Sequence, residues 1–352
     1  MTPRPKVTVL MSAYNAERYI AEAVDSVLAQ TFLDFEFLIF EDGSKDSTLS
    51  ILKSYPDSRI RLVENETNLG LTRNLERGMQ MARGEFVARM DADDICMPHR
   101  LASQLNYFST HPEVSVLGSA VTFYGKGREK VVGYQPLEHD EIKCALLYGF
   151  TMLHPSVMLR KTDFDRHGLN YDPMFKVSQD HDLWVRAIRK VKFANLREPL
   201  LDLRVHADRI GVMQNDLQRF FSSLIRKRQL DELGVTATSQ DIQVLDEHER
   251  SVATWAAVDC RRFEDLLHRI VEANSKVVIF NKDVLSEVGA GHFREVCRQL
   301  LLNGNRAGLY YWKSRMMIVD PATLRQRVGM IYRSSTYALR RRNSLTQAEP
   351  SR

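Results

Sequence analysis

Cysteine is scarce. The chain of 352 residues has four, Cys96, Cys144, Cys260 and Cys297, and none stands at zinc-ligand spacing from another. A structural zinc site and a disulfide framework are therefore disfavoured, and reduced, buried thiols are expected. Long apolar runs are missing too. No stretch approaches the roughly 18 to 20 apolar residues that a membrane helix needs, and the first 30 residues alternate apolar and polar groups where a signal peptide would carry an apolar block. The expectation is a cytoplasmic protein, neither secreted nor membrane-spanning. Charge of one sign is also lacking: 49 Lys and Arg against 45 Asp and Glu leave a formal +4. That surplus is too small over this length to imply a nucleic-acid partner, and none is expected. Finally, no Gly-x-Gly-x-x-Gly follows the first apolar run, which disfavours a dinucleotide-binding enzyme.

What is present is a globular composition, 44% hydrophobic and 27% charged, on a length suited to about two domains. Residues 7 to 12 read as a strand, with Asn15 as the N-cap of a helix carrying Ile20, Val24, Val27 and Leu28. Residues 35 to 41 make a second strand, and Asp42-Gly43-Ser44 turns the chain into a helix with Leu49 and Leu52 on one face. Ile60 to Val63 is a third strand. Asn68-Leu69-Gly70 opens a helix with Leu71, Leu75 and Met79 in register, and Gly84 precedes a fourth strand from Phe86 to Met90. Strands and helices alternating at these lengths specify right-handed βαβ units and a mostly parallel sheet.

From about residue 99 the pattern loosens into a mixed, partly antiparallel extension. It has a helix with Leu101, Leu105 and Phe108, two apolar segments near 114 to 124, a helix over 180 to 189, and two short β-like pieces near Phe193 and Leu201. The α/β domain is expected to span residues 1–212, a helical domain 213–322, and a basic amphipathic helix and tail 323–352. In the helical part the expected segments include Asp241 to Asp259 and Arg306 to Met317. From Arg294 to Arg352 roughly 12 basic side chains face 3 acidic ones. Leu324, Val328, Ile331 and Tyr332 line one face of that last helix, so an anionic membrane surface is a candidate partner and packing onto the helical domain the alternative.

The most informative stretch is Asp91-Ala92-Asp93-Asp94, directly after the fourth strand, where an open α/β sheet presents its ligands. Three crowded carboxylates repel unless a cation sits among them, and Mg²⁺ or Mn²⁺ bridging a diphosphate is the natural occupant. Asp42 ends the second strand beside Gly43, where an acid can accept hydrogen bonds from a base or a ribose; helix capping by Ser44 or Asp46 is the competing explanation.

Taken in order, these pieces resemble a known family. Val7 to Asn15, Ser26 to Phe32, Glu41 to Thr48, Asn68-Leu69-Gly70, Asp91 to Asp94, Met97 to Leu101, His154-Pro155-Ser156, Gln179 to Arg186 and Arg204-Val205-His206 are similar to the family 2 glycosyltransferases of bacterial surface-polysaccharide type. The resemblance spans roughly residues 5 to 210. It implies the GT-A nucleotide-diphospho-sugar transferase fold, a mostly parallel sheet flanked by helices, followed here by a helical region. It implies a nucleotide-sugar donor, a UDP-sugar by preference, and a carbohydrate or lipid-linked acceptor. Ala13, Tyr14 and Asp42 would then contact the base, and Asn68 and Arg73 would approach the nucleotide. Asp91, Asp93 and Asp94 would divide ribose contact and metal ligation, with His206 as a further metal ligand. Asp180 matches the acid that takes the acceptor's proton in inverting transfer. Gln179 stands where the family has Glu, and His154 and Trp184 fall on the acceptor side. Two rivals are a sugar nucleotidyltransferase, whose Gly- and Lys-rich loop is missing after the first strand, and a non-catalytic nucleotide-sugar-binding scaffold.

Overall fold

The computed structural model describes residues 4–125, 127, 129–149, 151–206, 215–248 and 252–322. The chain divides into two compact units, Met1–Ile142 with Phe150–Phe221, and Lys143–Gly149 with Ser222–Arg352. The expected boundary near 212 lies outside the described residues, as does the whole segment 323–352. The short stretch Lys143–Gly149, inside the expected first domain, is part of the second unit.

The first unit is built on one mixed sheet. Its strands are β1 (Val7–Ala13), β2 (Phe35–Glu41), β3 (Ile60–Glu64), β4 (Phe86–Asp91), β5 (Ile95–Cys96), β6 (Val114–Tyr124), β7 (Val131–Gly133), β8 (Met158–Arg160) and β9 (Lys192–Arg204), in the spatial order β3-β2-β1-β4-β8-β6-β9-β5, with β7 on β6. The four N-terminal strands pair in parallel, whereas β8 is antiparallel to both β4 and β6. The helices α1 (Ile20–Leu28), α2 (Thr48–Lys53), α3 (Leu71–Met81) and α4 (Arg100–Thr110) make the crossovers, followed by α5 (His139–Ala145), α6 (Lys161–Arg166) and α7 (Gln179–Ala187).

Alternation along the strands separates two faces. Val7, Val9, Met11, Phe35, Phe37, Ile39, Phe86, Ala88 and Met90 form one apolar core with Ile20, Val24 and Val27 of α1. The opposite face is mixed: buried Leu10, Leu38, Phe40 and Val87 lie among Thr8, Ser12, Glu36, Arg89 and Asp91. There Thr8 donates to Glu36 at 2.7 Å, and Asn74 of α3 donates to Ser12 at 3.0 Å.

Three local expectations are corrected in this unit. Asn15 does not cap α1: it sits at φ 47° with its side-chain Oδ1 accepting the Lys45 amide at 2.9 Å, and Tyr19 holds the cap position without a side-chain hydrogen bond. The two apolar segments near 114 to 124 are one eleven-residue strand. Pairing with Asn195 of β9 keeps Gly118 extended within it, and the Asn195 side chain fills the space a Cβ would need. The two β-like pieces near Phe193 and Leu201 are likewise one strand, irregular in register where Pro199 interrupts its hydrogen bonding.

In the second unit, Asp241 to Asp259 is not one helix. It breaks after α9 (Ser239–Glu247), and Asp259 lies in the first turn of α10 (Ala257–Val277), its carboxylate accepting the Ala256 amide at 2.7 Å. Helix α8 (Asn215–Glu232) precedes these, and α11 (Lys282–Leu302) follows. Arg306 to Met317 is a 3₁₀ helix over Arg306–Lys313 and a short α turn, Met316–Val319. The core of this unit gathers Leu230, Leu245, Phe263, Leu267, Phe293 and Tyr311. Buried Arg226 ion-pairs with Asp246 and donates to the Tyr148 carbonyl at 2.7 Å. Among the described residues no helix is long and apolar enough to cross a membrane.

Candidate functional site

The strand order places a switch point at β1, where the connections to β2 and to β4 leave in opposite directions; ligands of open α/β sheets bind outside the strand ends at such a point. Ser12 is in register with Asp91, and Ala13 with Glu41, so the motifs after the first, second and fourth strands meet at one edge. Ala13 is buried, whereas Tyr14 is 43% exposed and open to a ligand. The Asp42 amide donates to the Ala13 carbonyl at 2.9 Å, tying the two strand tips together.

Asp42 is 2% exposed, and its carboxylate is engaged. It accepts the Asn65 side-chain amide at 2.9 Å and the Leu69 and Gly70 backbone amides at 2.8 and 3.0 Å. Asp42 thus anchors the loop carrying Asn68, with one lone-pair direction of its two oxygens left over. Capping of the same turn falls to its neighbours: Glu41 accepts the Gly43 and Ser44 amides, and Asp46 accepts from Thr48. Gly43 is required here, since at φ 69° a Cβ would lie 2.9 Å from the Thr67 backbone. Asn68 and Arg73 are both exposed and make no side-chain hydrogen bond or ion pair among the described residues.

The acid loop is assembled by distant sequence. Carboxylate oxygens of Asp91, Asp93 and Asp94 lie within 4.8 Å of one another, the first two partly open and Asp94 buried. Strand β5 pairs antiparallel with β9, carrying the end of β9 to the loop. There the Arg204 amide donates to Asp94 at 2.8 Å, Arg204 Nε donates to the Asp93 carbonyl at 2.9 Å, and His206 Nε2 lies 2.8 Å from Asp93 Oδ2. The Arg204 guanidinium stacks over Tyr19 and Tyr124. Three hard oxygen donors with an adjacent imidazole suit Mg²⁺ or Mn²⁺.

Asp180 opens α7 behind Ser178, which takes a left-handed conformation. Its carboxylate accepts the His181 amide at 2.9 Å. Burial pushes its pKa above the usual carboxylate value, the His181 amide and the Arg89 charge pull it down, and Asp91 opposes them. Asp182, the next acid of the motif, is buried and paired with Arg186 at 2.7 Å, a structural role. His154 is buried, and burial together with Arg89 holds its pKa well below the ordinary histidine value. Its Nε2 lies 2.7 Å from the Tyr171 hydroxyl, not against backbone. Gln179 is buried. Trp184 is 1% exposed and edge-on to His154 and Phe193, so its ring is core and not the wall of an open pocket. Two residues at this site went unassigned in the sequence: Arg204, inside a motif but given no role, and Arg89, whose one signal is a lone cation in an otherwise apolar strand.

Comparison with known proteins agrees with this architecture. The family described as "Glycosyl transferase family 2" matches residues 8–169. An uncharacterised glycosyltransferase of Methanocaldococcus jannaschii is 34% identical over 209 residues, covering 57% of this chain and 71% of that protein. The O-antigen biosynthesis glycosyltransferase WbnJ of Escherichia coli is 28% identical over 206 residues, covering 57% and 80%. Among solved structures, S. aureus TarS 1-349 in complex with UDP-GlcNAc is similar in fold, with a TM-score of 0.57 at 17% identity, over 88% of this chain and 92% of that one. The likeness in fold thus extends to a chain of low sequence identity, in keeping with the nucleotide-diphospho-sugar transferase architecture. With its motifs gathered at one sheet edge, this family model and these relatives, the chain belongs to glycosyl transferase family 2.

Proposed function

We propose that the protein transfers one sugar, with inversion, from a nucleotide-diphosphate sugar to a hydroxyl of a carbohydrate or lipid-linked acceptor, in the making of a surface polysaccharide. The observation that carries this reading is the set of three acids at the switch point, with Asp180 electrostatically coupled to the same strand. Tyr14, Asn68 and Arg73 would meet the nucleotide, and Ala13 and Asp42 would shape the base site from beneath. UDP is the preferred nucleotide, in keeping with the UDP-GlcNAc bound by the TarS fold neighbour; the acceptor class follows the O-antigen enzyme among the relatives.

Asp93, Asp94 and His206 would hold a divalent ion, Mn²⁺ or Mg²⁺, with Asp91 turned to the ribose. When bound, that ion neutralises the charge of the leaving diphosphate. The chain's own part is proton transfer: the Asp180 carboxylate takes the acceptor's hydroxyl proton as that oxygen bonds to the anomeric carbon and the carbon–phosphate oxygen bond breaks on the opposite face. A base raised above the ordinary carboxylate value is better matched to that task than a strongly acidic one. His154 and Gln179, both buried, would lie beneath the acceptor side and orient it through neighbours. The basic C-terminal segment would place the protein on an anionic membrane face, near a lipid-linked acceptor.

The test is a calorimetric panel of UDP, GDP, dTDP and CMP, each with Mn²⁺ and with EDTA. Metal-dependent binding of one nucleoside diphosphate is expected. Binding of none under either condition would overturn the donor site and favour the scaffold alternative.

A further inference from the structure

Arg89 lies in the middle of β4, flanked by β1 and β8, and is 5% exposed. Strand alternation puts it on the same face as Asp91, two residues on, and the two side chains form an ion pair. The surrounding backbone is fixed: the Arg89 amide donates to the Val157 carbonyl at 2.9 Å, and the Arg89 carbonyl accepts from buried Arg100 at 2.8 Å. Yet Arg89 Nε has no hydrogen-bond acceptor among the described residues. A guanidinium is costly to bury, and one held without its full set of acceptors is retained by charge. The charges are at hand, because three carboxylates converge at the end of its own strand. The other cation at that loop, Arg204, directs its guanidinium to Glu22 and to a backbone carbonyl, not to the carboxylates.

We propose that Arg89 is a positioning residue for the donor: its guanidinium fixes the Asp91 carboxylate toward the nucleoside and is a built-in counter-charge that offsets part of the acid loop's negative charge. The inference rests on the donor-site reading above. It has a signature of two opposite signs. Removing the charge leaves the loop more negative, so bare Mn²⁺ binds more tightly; a unit charge about 6 Å from a divalent ion changes binding about tenfold even at the dielectric of water. Releasing Asp91 leaves the nucleoside without a fixed partner, so UDP at saturating Mn²⁺ binds about tenfold more weakly. A merely structural role would weaken both.

The experiment uses the full chain with R89M and R89K. Free Mn²⁺ is followed by electron paramagnetic resonance, UDP binding by calorimetry at saturating Mn²⁺, and folding by thermal melting. In R89M, Mn²⁺ is expected to tighten and UDP to weaken. In R89K, which keeps the charge but not the planar fork, Mn²⁺ affinity should stay within about twofold while UDP weakens. Loss of both affinities together, or no change in either, overturns the proposal. If R89M does not fold, R89K decides on the same terms. A wild-type chain that binds neither Mn²⁺ nor UDP removes the donor site and this inference together, whereas wild-type binding with an unmoved variant removes the inference alone.

Discussion

His206 and Asp93, 113 residues apart, meet at 2.8 Å between imidazole Nε2 and carboxylate Oδ2. The contact exists because the two-residue strand β5 pairs with β9 and brings the end of the domain over the acid loop. With His206 and Asp93 as metal ligands, His206→Ala and Asp93→Asn should each weaken Mn²⁺ binding by at least about 10- to 100-fold, the range for losing even a ligand's supporting partner. Treatment with EDTA should abolish UDP binding to the wild type. Mn²⁺ titration checks all three, and an unchanged H206A would remove that histidine from the site.

Asp180→Asn keeps the shape of the side chain and removes its basicity. Transfer should fall by about 10²- to 10⁴-fold with UDP affinity unchanged. Since burial raises the pKa of Asp180, the wild-type rate should climb with pH through a midpoint above the ordinary carboxylate value, and that limb should vanish in the variant. Steady-state rates from pH 4 to 8 read both effects.

Asp42 holds the loop that carries Asn68. Asp42→Ala leaves the amides of Asn65, Leu69 and Gly70 without their acceptor, a loss of about 3 kcal/mol in unfolding free energy, and UDP binding should fall with it. Denaturant unfolding alongside calorimetry measures the two. A variant as stable as the wild type would show that the loop is held by other contacts.

The helical unit should weaken in acid. His248 and His292 pack against each other and Tyr148, their ring centres 5.2 Å apart. Burial holds the pKa of His248 well below 6.5, and burial plus the Arg226 charge lowers that of His292 to about 4. Both values are depressed relative to the unfolded chain, so the unfolded state binds more protons below pH 6.5 and stability is lost as pH falls from there. Each histidine contributes about 1.4 kcal/mol per pH unit in that window, and the His292 part ends near pH 4. His292→Gln should flatten the fall in melting temperature between pH 6.5 and 4. An equal fall in the variant would exclude His292 as its source.

Alternation of apolar runs, the turn chemistry of Asp42-Gly43-Ser44 and Asn68-Leu69-Gly70, and the acids at the end of β4 were legible because each is a local property of backbone and side chain, and together they specified the parallel half of the sheet and the family. Less local features were not. Pairing on neighbouring strands carries β6 and β9 through Gly118 and Pro199. Asp180 and Asp182 look alike in sequence, but one carboxylate accepts the His181 amide while the other is consumed by Arg186. Trp184, expected on the acceptor side, is a core residue. Arg89, passed over in sequence, is a buried charge whose partners come together only when the strands pair. Local sequence sets which groups sit at strand ends and on which face; which of them are spent on one another, and which remain for a ligand, is decided by burial and by long-range pairing, since both depend on neighbours far away along the chain.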